Sequence, residues 1–234
     1  MSQPSQANRA EWRPQRFGRV NGRKVVDPLI EPVWVGERVL AHVETGGPRV
    51  TDGRPFVVIL DDAGNAIEGF TEIAEAIGAA TRASALVIDG YLTDQVEHRA
   101  NLGTPSVVPM PTASGLTRQM IIGGSRRPEP PSQLDRSIPV NPATPTTFVA
   151  VDVLLVDDDE VLDVPLLERK RLLESVLDES RLVRRGIYVR PPIDSWLMSW
   201  RSLGFGAIAF KAANGRYQPG RANDGWAISR MPTR

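Results

Sequence analysis

Apolar and polar positions alternate along this chain in short bursts, and their period assigns most of it to elements. Residues 32–43 (PVWVGERVLAHV) read as a strand pair or one long bent strand, with Gly36 at the bend. Residues 56–60 form an apolar run that ends in the turn signal Asp61-Asp62-Ala63-Gly64-Asn65. Phe70, Ile73, Ala74 and Ile77 fall at helical spacing, which predicts an amphipathic helix over 70–79. Residues 85–88 read as a buried strand running into Asp89-Gly90-Tyr91. The run 148–156 (FVAVDVLLV) is the strongest strand signal, and the acidic turn 157–160 follows it.

Beyond that turn, 166–177 predicts a helix with Leu166, Leu173 and Leu177 on one face and Glu168 able to pair with Arg171 on its surface. A strand is expected over 182–189. Ile193, Trp196, Leu197 and Trp200 then define a short helix opened by Pro191-Pro192. An apolar strand ends at Lys211. A loop follows with Arg216, Tyr217 and Pro219-Gly220-Arg221, and a last strand holds Trp226. No internal repeat is visible. Strands in pairs with helices between some of them predict an α+β fold of two mainly antiparallel sheets with flanking helices.

Two stretches lack such periodicity. Residues 1–20 are rich in Gln, Ser, Asn, Pro and Arg, and read as a flexible or loosely docked arm made basic by Arg9, Arg13, Arg16 and Arg19. Residues 99–147 hold nine of the 20 prolines, with Met120-Ile121-Ile122 as the one hint of a strand. They read as a long loop or insertion, draped over the domain or mobile. The expected organisation is therefore an arm over 1–20 and one domain over 21–234 that carries this Pro-rich insertion.

Composition narrows the functional classes. There are 28 basic and 28 acidic side chains, so no global cation drives binding to nucleic acid or membrane, and any such contact needs a local patch. Cysteine is absent, which removes disulfides, thiolate catalysis and Cys-metal sites and fits a cytoplasmic location. No apolar run approaches the roughly 20 residues needed to span a bilayer. The acidic turn 157–160 reads as a solvated hairpin tip, with a divalent-metal site as the alternative. Trp196 and Trp200 read as core rather than as a stacking platform. Only three lysines occur, Lys24, Lys170 and Lys211.

Several of these stretches, in order, resemble the adenylation domain of ATP-dependent DNA ligases. FVAVDVLLVDDDEVLDVPLLERKRLLESVL resembles that family's strand, acidic turn and helix. GAIAFKAANGRYQPGRANDGW resembles its next strand, its lysine and its Tyr-x-Pro-Gly-Arg loop with a following Trp. WVGERVLAHV resembles the strand pair around the nucleotide-accepting lysine, and FTEIAEAI with ALVIDG resembles the helix and Asp-Gly strand that come next. The resemblance covers residues 31 to 230. It implies two antiparallel sheets that hold a nucleotide in the cleft between them. It also implies a lysine that takes AMP from ATP as a phosphoramidate before the AMP passes to a nick 5′-phosphate.

The sequence departs from that pattern where the chemistry would lie. The family's Lys-x-Asp-Gly places its nucleophile on Val33 and its aspartate on Val35. Valine has no lone pair to attack phosphorus. The family's Asp-Gly-Glu reads Asp89-Gly90-Tyr91, and its Phe-Asp reads Val151-Asp152. A Glu is replaced by Gly206, and the last Lys-x-Lys reads Ile228-Ser229-Arg230. An Arg of the early turn region falls near Asp62. Gly36, Arg38, Asp89, Gly90, Asp152, Lys211, Tyr217, Pro219, Gly220, Arg221 and Trp226 keep the pattern.

The resemblance thus implies a pseudoenzyme: a ligase-like domain without catalytic or metal residues, acting as a binding or structural subunit, with DNA repair as its setting. No room is expected here for the family's C-terminal OB-fold domain. The expected partner is a protein or a second copy of the chain, with DNA binding weak alone and no membrane. Phosphate or nucleotide contacts would fall to Arg38, Lys211, Arg221 and Arg230. No cofactor is required, and ATP and Mg would bind weakly. The alternative is an active nucleotidyltransferase using a displaced lysine, Lys24 or Lys211.

Overall fold

The alternation over 37–44 becomes β3 (Glu37–Glu44), a strand with a different core on each face. The computed structural model describes residues 11–95, 134–135 and 137–231. Among these, β3 pairs antiparallel with β4 (Phe56–Leu60) on one side and β5 (Ala85–Thr93) on the other. β5 pairs antiparallel with β6 (Thr147–Val156), with register shifts at Val87/Ile88 and Asp89/Gly90. β7 (Asp159–Glu160) and β8 (Val183–Arg185) both join β6, the latter in parallel. A second sheet has the order β11 (Trp226–Arg230), β9 (Ala207–Ala212), β2 (Pro28–Pro32), all antiparallel. The expected α+β class with mainly antiparallel sheets describes this architecture.

Successive strand side chains point to opposite faces, so each strand supplies two layers. Val39, Ala41 and Val43 of β3 pack with Ile73 and Ile77 of α1 (Thr71–Ala80) and Leu173 of α2 (Leu166–Val176). The alternate residues Leu40, Val87 and Leu154 face Ala207, Ala209, Trp226 and Ile228 of the small sheet. That sheet turns Ile30, Ile208, Phe210 and Ala227 to its far side, against Leu197 and Trp200 of α3 (Asp194–Ser202). Of the two tryptophans expected in the core, Trp200 is fully buried, and Trp196 packs beside it, half-buried at the edge of the cluster.

Two expectations differ in detail. The strand expected over 182–189 shortens to β8, and Val189 meets Ile30 in a single bridge. The arm expected over 1–20 is not loose from residue 11 on. Trp12 and Phe17 are buried, β1 (Arg16–Phe17) runs parallel to β10 (Ala222–Asn223), and only 1–10 lie outside the described residues. Two large rings five residues apart anchor a segment that composition alone marks as a tail. Most of the Pro-rich insertion, including Met120-Ile121-Ile122, also lies outside the described residues. Its end is docked, since Ile138 N donates to the Gly36 carbonyl and Val140 N to Glu37 Oε2.

Candidate functional site

The face that each sheet turns towards the other carries charge. Period two puts Arg38 on the Leu40 side of β3, Asp89 with Val87 on β5, Asp152 with Leu154 on β6, Lys211 with Ala209 on β9 and Glu31 with Leu29 on β2. α2 adds two more cations. Its buried stripe is Leu166, Arg169, Lys170 and Leu173, the i, i+3, i+4, i+7 face. The helix start is fixed against the small sheet, because Leu166 N donates to the Gly215 carbonyl and Leu167 N to that of Ala213. These first-turn N–H groups have no partner within the helix, so the loop after β9 both caps α2 and aims Arg169 and Lys170 inward.

Three buried ionic groups result. Arg38 grips Asp89 with two bonds, Nε to Oδ1 at 2.5 Å and Nη2 to Oδ2 at 2.6 Å, and its Nη1 donates to the Tyr91 hydroxyl at 2.6 Å. Tyr217 completes the set by donating its hydroxyl to Asp89 Oδ2 at 2.7 Å. Arg169 grips Asp152 in the same forked way, both contacts being 2.8 Å. Glu31 serves two lysines, Lys211 Nζ at 2.7 Å from Oε2 and Lys170 Nζ at 2.6 Å from Oε1. Lys170 also donates to the Val151 carbonyl, and Lys211 lies 4.2 Å from the Trp226 ring centre.

Electrostatics follow from this sharing. Burial would raise the Glu31 carboxyl, but Lys170 and Lys211 outweigh it and hold the pKa at about 2. Lys211 is pushed below the usual lysine range by burial, and the neighbouring Lys170 and Arg38 charges push the same way against Glu31. Burial also opposes the Arg38 charge, but Asp89 more than compensates and raises its pKa. Tyr217 is raised by burial and by the Asp89 carboxylate, so its phenol stays protonated and remains a donor. Asp135 is raised by burial near Tyr91, whose hydroxyl lies 3.4 Å away.

Of the expected phosphate-facing residues, Arg38 and Lys211 share this neighbourhood, each already bound to an internal carboxylate. Arg38 also lines an opening of about 430 Å³ with Gln15, Arg16, Arg19, Asp62 and Asp135. Arg221 and Arg230 are exposed, in the loop before β10 and at the end of β11. Glu31, Arg169 and Lys170 were not among the expected site residues. Their sequence signal was the position of 169 and 170 on the Leu166–Leu173 stripe.

The inter-sheet arrangement has counterparts among solved structures. The ligase domain of LigD from M. tuberculosis aligns over 94% of this chain and 59% of its own length, at 19% identity and a TM-score of 0.58. A mycobacterial DNA ligase D complexed with ATP and MES aligns over 94% and 60%, at 17% identity and a TM-score of 0.60. The fold is that of a DNA ligase nucleotidyltransferase domain. This chain spans about 60% of the length of those ligase structures. No family model and no curated protein sequence matches it. No helix among the described residues is long and apolar enough to cross a membrane.

Within the ligase-type fold, Val33 lies in the inter-sheet cluster with Leu40, Tyr217 and Trp226, and is 7% exposed. Its N–H donates to the Ala207 carbonyl. Val35, where the resemblance places an aspartate, is 47% exposed at the edge. Tyr91 points its hydroxyl at Arg38, and Val151 is buried among Trp34, Tyr91 and Val149. Lys24 sits exposed on the single turn Gly22–Lys24.

Proposed function

We propose that this chain is a catalytically degenerate ligase-type domain that works by binding, as a protein-binding or structural subunit in DNA repair. The observation that carries the reading is Val33, an alkyl side chain packed between the sheets, where the sequence resemblance puts the nucleophile. The lysines support it. Lys170 and Lys211 share one carboxylate inside the cleft, and Lys24 lies outside the inter-sheet cluster. A buried amine with a lowered pKa can act as a nucleophile, so of the two lysines of the active alternative, Lys24 and Lys211, the second has the better-suited surroundings. Intact mass after incubation with ATP and a divalent metal is expected to be unchanged. An adenylyl-sized increase that disappears with Lys211→Arg or Lys24→Arg would replace this reading with the active one.

A second reading, residual nucleotide binding, is favoured by one observation: the opening of about 430 Å³ that Arg38 lines. Arg38 and Lys211 are committed to Asp89 and Glu31, so an incoming phosphate must compete with internal carboxylates. Calorimetric titration is expected to give weak binding, little preference between ATP and GTP, and about a tenfold loss of affinity between low and high salt. Tight, ATP-selective, salt-resistant binding would contradict this.

A further inference from the structure

Residues 11–18 bridge the two sheets at the mouth of the cleft. On the large-sheet side, Arg13 Nε donates to the Ala63 carbonyl in the turn after β4. On the other side, Gly220 N donates to the Arg13 carbonyl, Arg16 N to that of Arg221, and Gly18 N to those of Asn223 and Trp226. Gln15 is wedged deepest, at 1% exposure. Its N–H donates to the Tyr217 hydroxyl at 2.8 Å and its Oε1 accepts from Gln218 N, which ties the segment to the hydroxyl that also holds Asp89. Trp12 and Phe17 fill the inter-sheet cluster around Val33, Leu40, Tyr217 and Trp226, with Phe17 5.6 Å from the Trp226 ring.

We propose that residues 11–18 are a releasable clasp that plugs the inter-sheet cleft, and that the cleft opens when this segment leaves as a unit. The proposal rests on the binding role given above. The ladders of the large and the small sheet close without the clasp, whose own strand pairing is the two-residue contact with β10, so it can depart without breaking them. Its departure exposes the edge-to-face pair of Tyr217 and Trp226, next to the Arg38–Asp89 pair. One polar group is better off released: Gln15 Nε2 is buried with no hydrogen-bond partner among the described residues, a loss that water would repair. Segments of this kind open below the free energy of global unfolding.

Two variants set the clasp without altering Arg38, Lys211 or Tyr217. A Cβ on Gly18 would meet the Asn223 carbonyl oxygen at 2.7 Å and Asp224 Cα at 2.8 Å, so Gly18→Val loosens it. A Cβ on Gly220 would lie 3.5 Å from that of Arg13, which suits a disulfide, so Arg13→Cys with Gly220→Cys locks it when oxidised. The chain has no other cysteine, and any strain at Gly220 is common to both redox states.

The test is native-state amide exchange on the full chain. The N–H groups of Gln15, Gly18, Gln218 and Gly220 are expected to exchange together, about 100-fold faster than those of the β5–β6 ladder. Gly18→Val should speed this group about tenfold further and leave the ladder unchanged, while the oxidised lock should slow the group towards ladder rates and dithiothreitol should release it to at least the unmodified rates, since Arg13→Cys also removes the bond to the Ala63 carbonyl. Clasp amides that exchange only at ladder rates in the unmodified chain, or that ignore the lock, overturn the proposal. ATP titration of the same three proteins separates it from the functional reading. Affinity rising from locked to unmodified to Gly18→Val supports gating, and equal affinities overturn it. No binding in any of them removes residual nucleotide binding, while the exchange data still decide whether the clasp opens as a unit.

Discussion

Glu31→Gln is expected to destabilise the protein by about 3–5 kcal/mol, a large part of the roughly 5–15 kcal/mol that holds a domain together. The variant keeps the shape and removes the charge. Lys170 and Lys211 would then share a neutral amide where a carboxylate now lies 2.6 and 2.7 Å away. Breaking a buried ion pair from one side leaves uncompensated charge, which costs more than the intact pair contributes. The titration of Glu31 gives a similar size independently. Its folded pKa of about 2 lies below the ordinary 4.5, so its stabilisation, about 3 kcal/mol, is fully present above pH 4.5 and is lost as pH falls towards 2.

One effect limits the loss in the variant. Lys211 already lies below the usual lysine range, and without Glu31 it can shed its proton. The unfolded chain would then bind more protons, so the stability of Glu31→Gln should climb as pH rises towards the ordinary lysine pKa, more steeply than in the unmodified protein. Urea unfolding at several pH values measures both quantities. The triple change Glu31→Leu, Lys170→Met, Lys211→Met removes all three charges and should recover most of the loss. A loss under about 1 kcal/mol in Glu31→Gln would mean that water already solvates these ammoniums.

The fold was largely legible because its signals are local. The run 56–60 is β4, and Ile73 and Ile77 mark the buried face of α1 as their spacing says. The site was legible only in part, because pairing across sheets leaves no mark on a local pattern. Arg38 and Asp89 lie 51 residues apart and Lys211 and Glu31 are 180 apart. Glu31 was hidden for a further reason. It occupies a five-residue strand with proline at both ends, Pro28 and Pro32, which a propensity reading starts too late. Arg169 and Lys170 share the stripe of Leu166 and Leu173, but their charge kept them out of an apolar face read from leucines alone. Gln15 and its neighbours were hidden by composition, since a polar, Arg-rich segment docks through only two large rings.

His42 lies on β3 beside a hollow of about 550 Å³, lined also by Phe56, Val58, Leu60, Val87 and Leu155. Burial drives its pKa down to about 4, with Arg49 and Arg13 adding to the effect and Glu44 opposing it. Its Nε2 is buried with no hydrogen-bond partner among the described residues, so nothing there holds a proton on the ring. The folded pKa lies below the ordinary 6.5, so between these values the unfolded chain binds the proton and the folded one does not. Stability must therefore fall as pH drops from about 6.5 to about 4, by about 2–3 kcal/mol from this group alone, the lower end allowing for partial solvent contact. His42→Leu removes that titration while keeping an apolar side chain of similar reach. The carboxylates that also titrate on acidification, and His98, are common to both proteins and cancel in the difference. Urea unfolding at intervals from pH 7 to pH 4 should show the unmodified protein losing about 2–3 kcal/mol more than His42→Leu. Parallel curves would place the imidazole in water and remove burial as the cause of its neutrality.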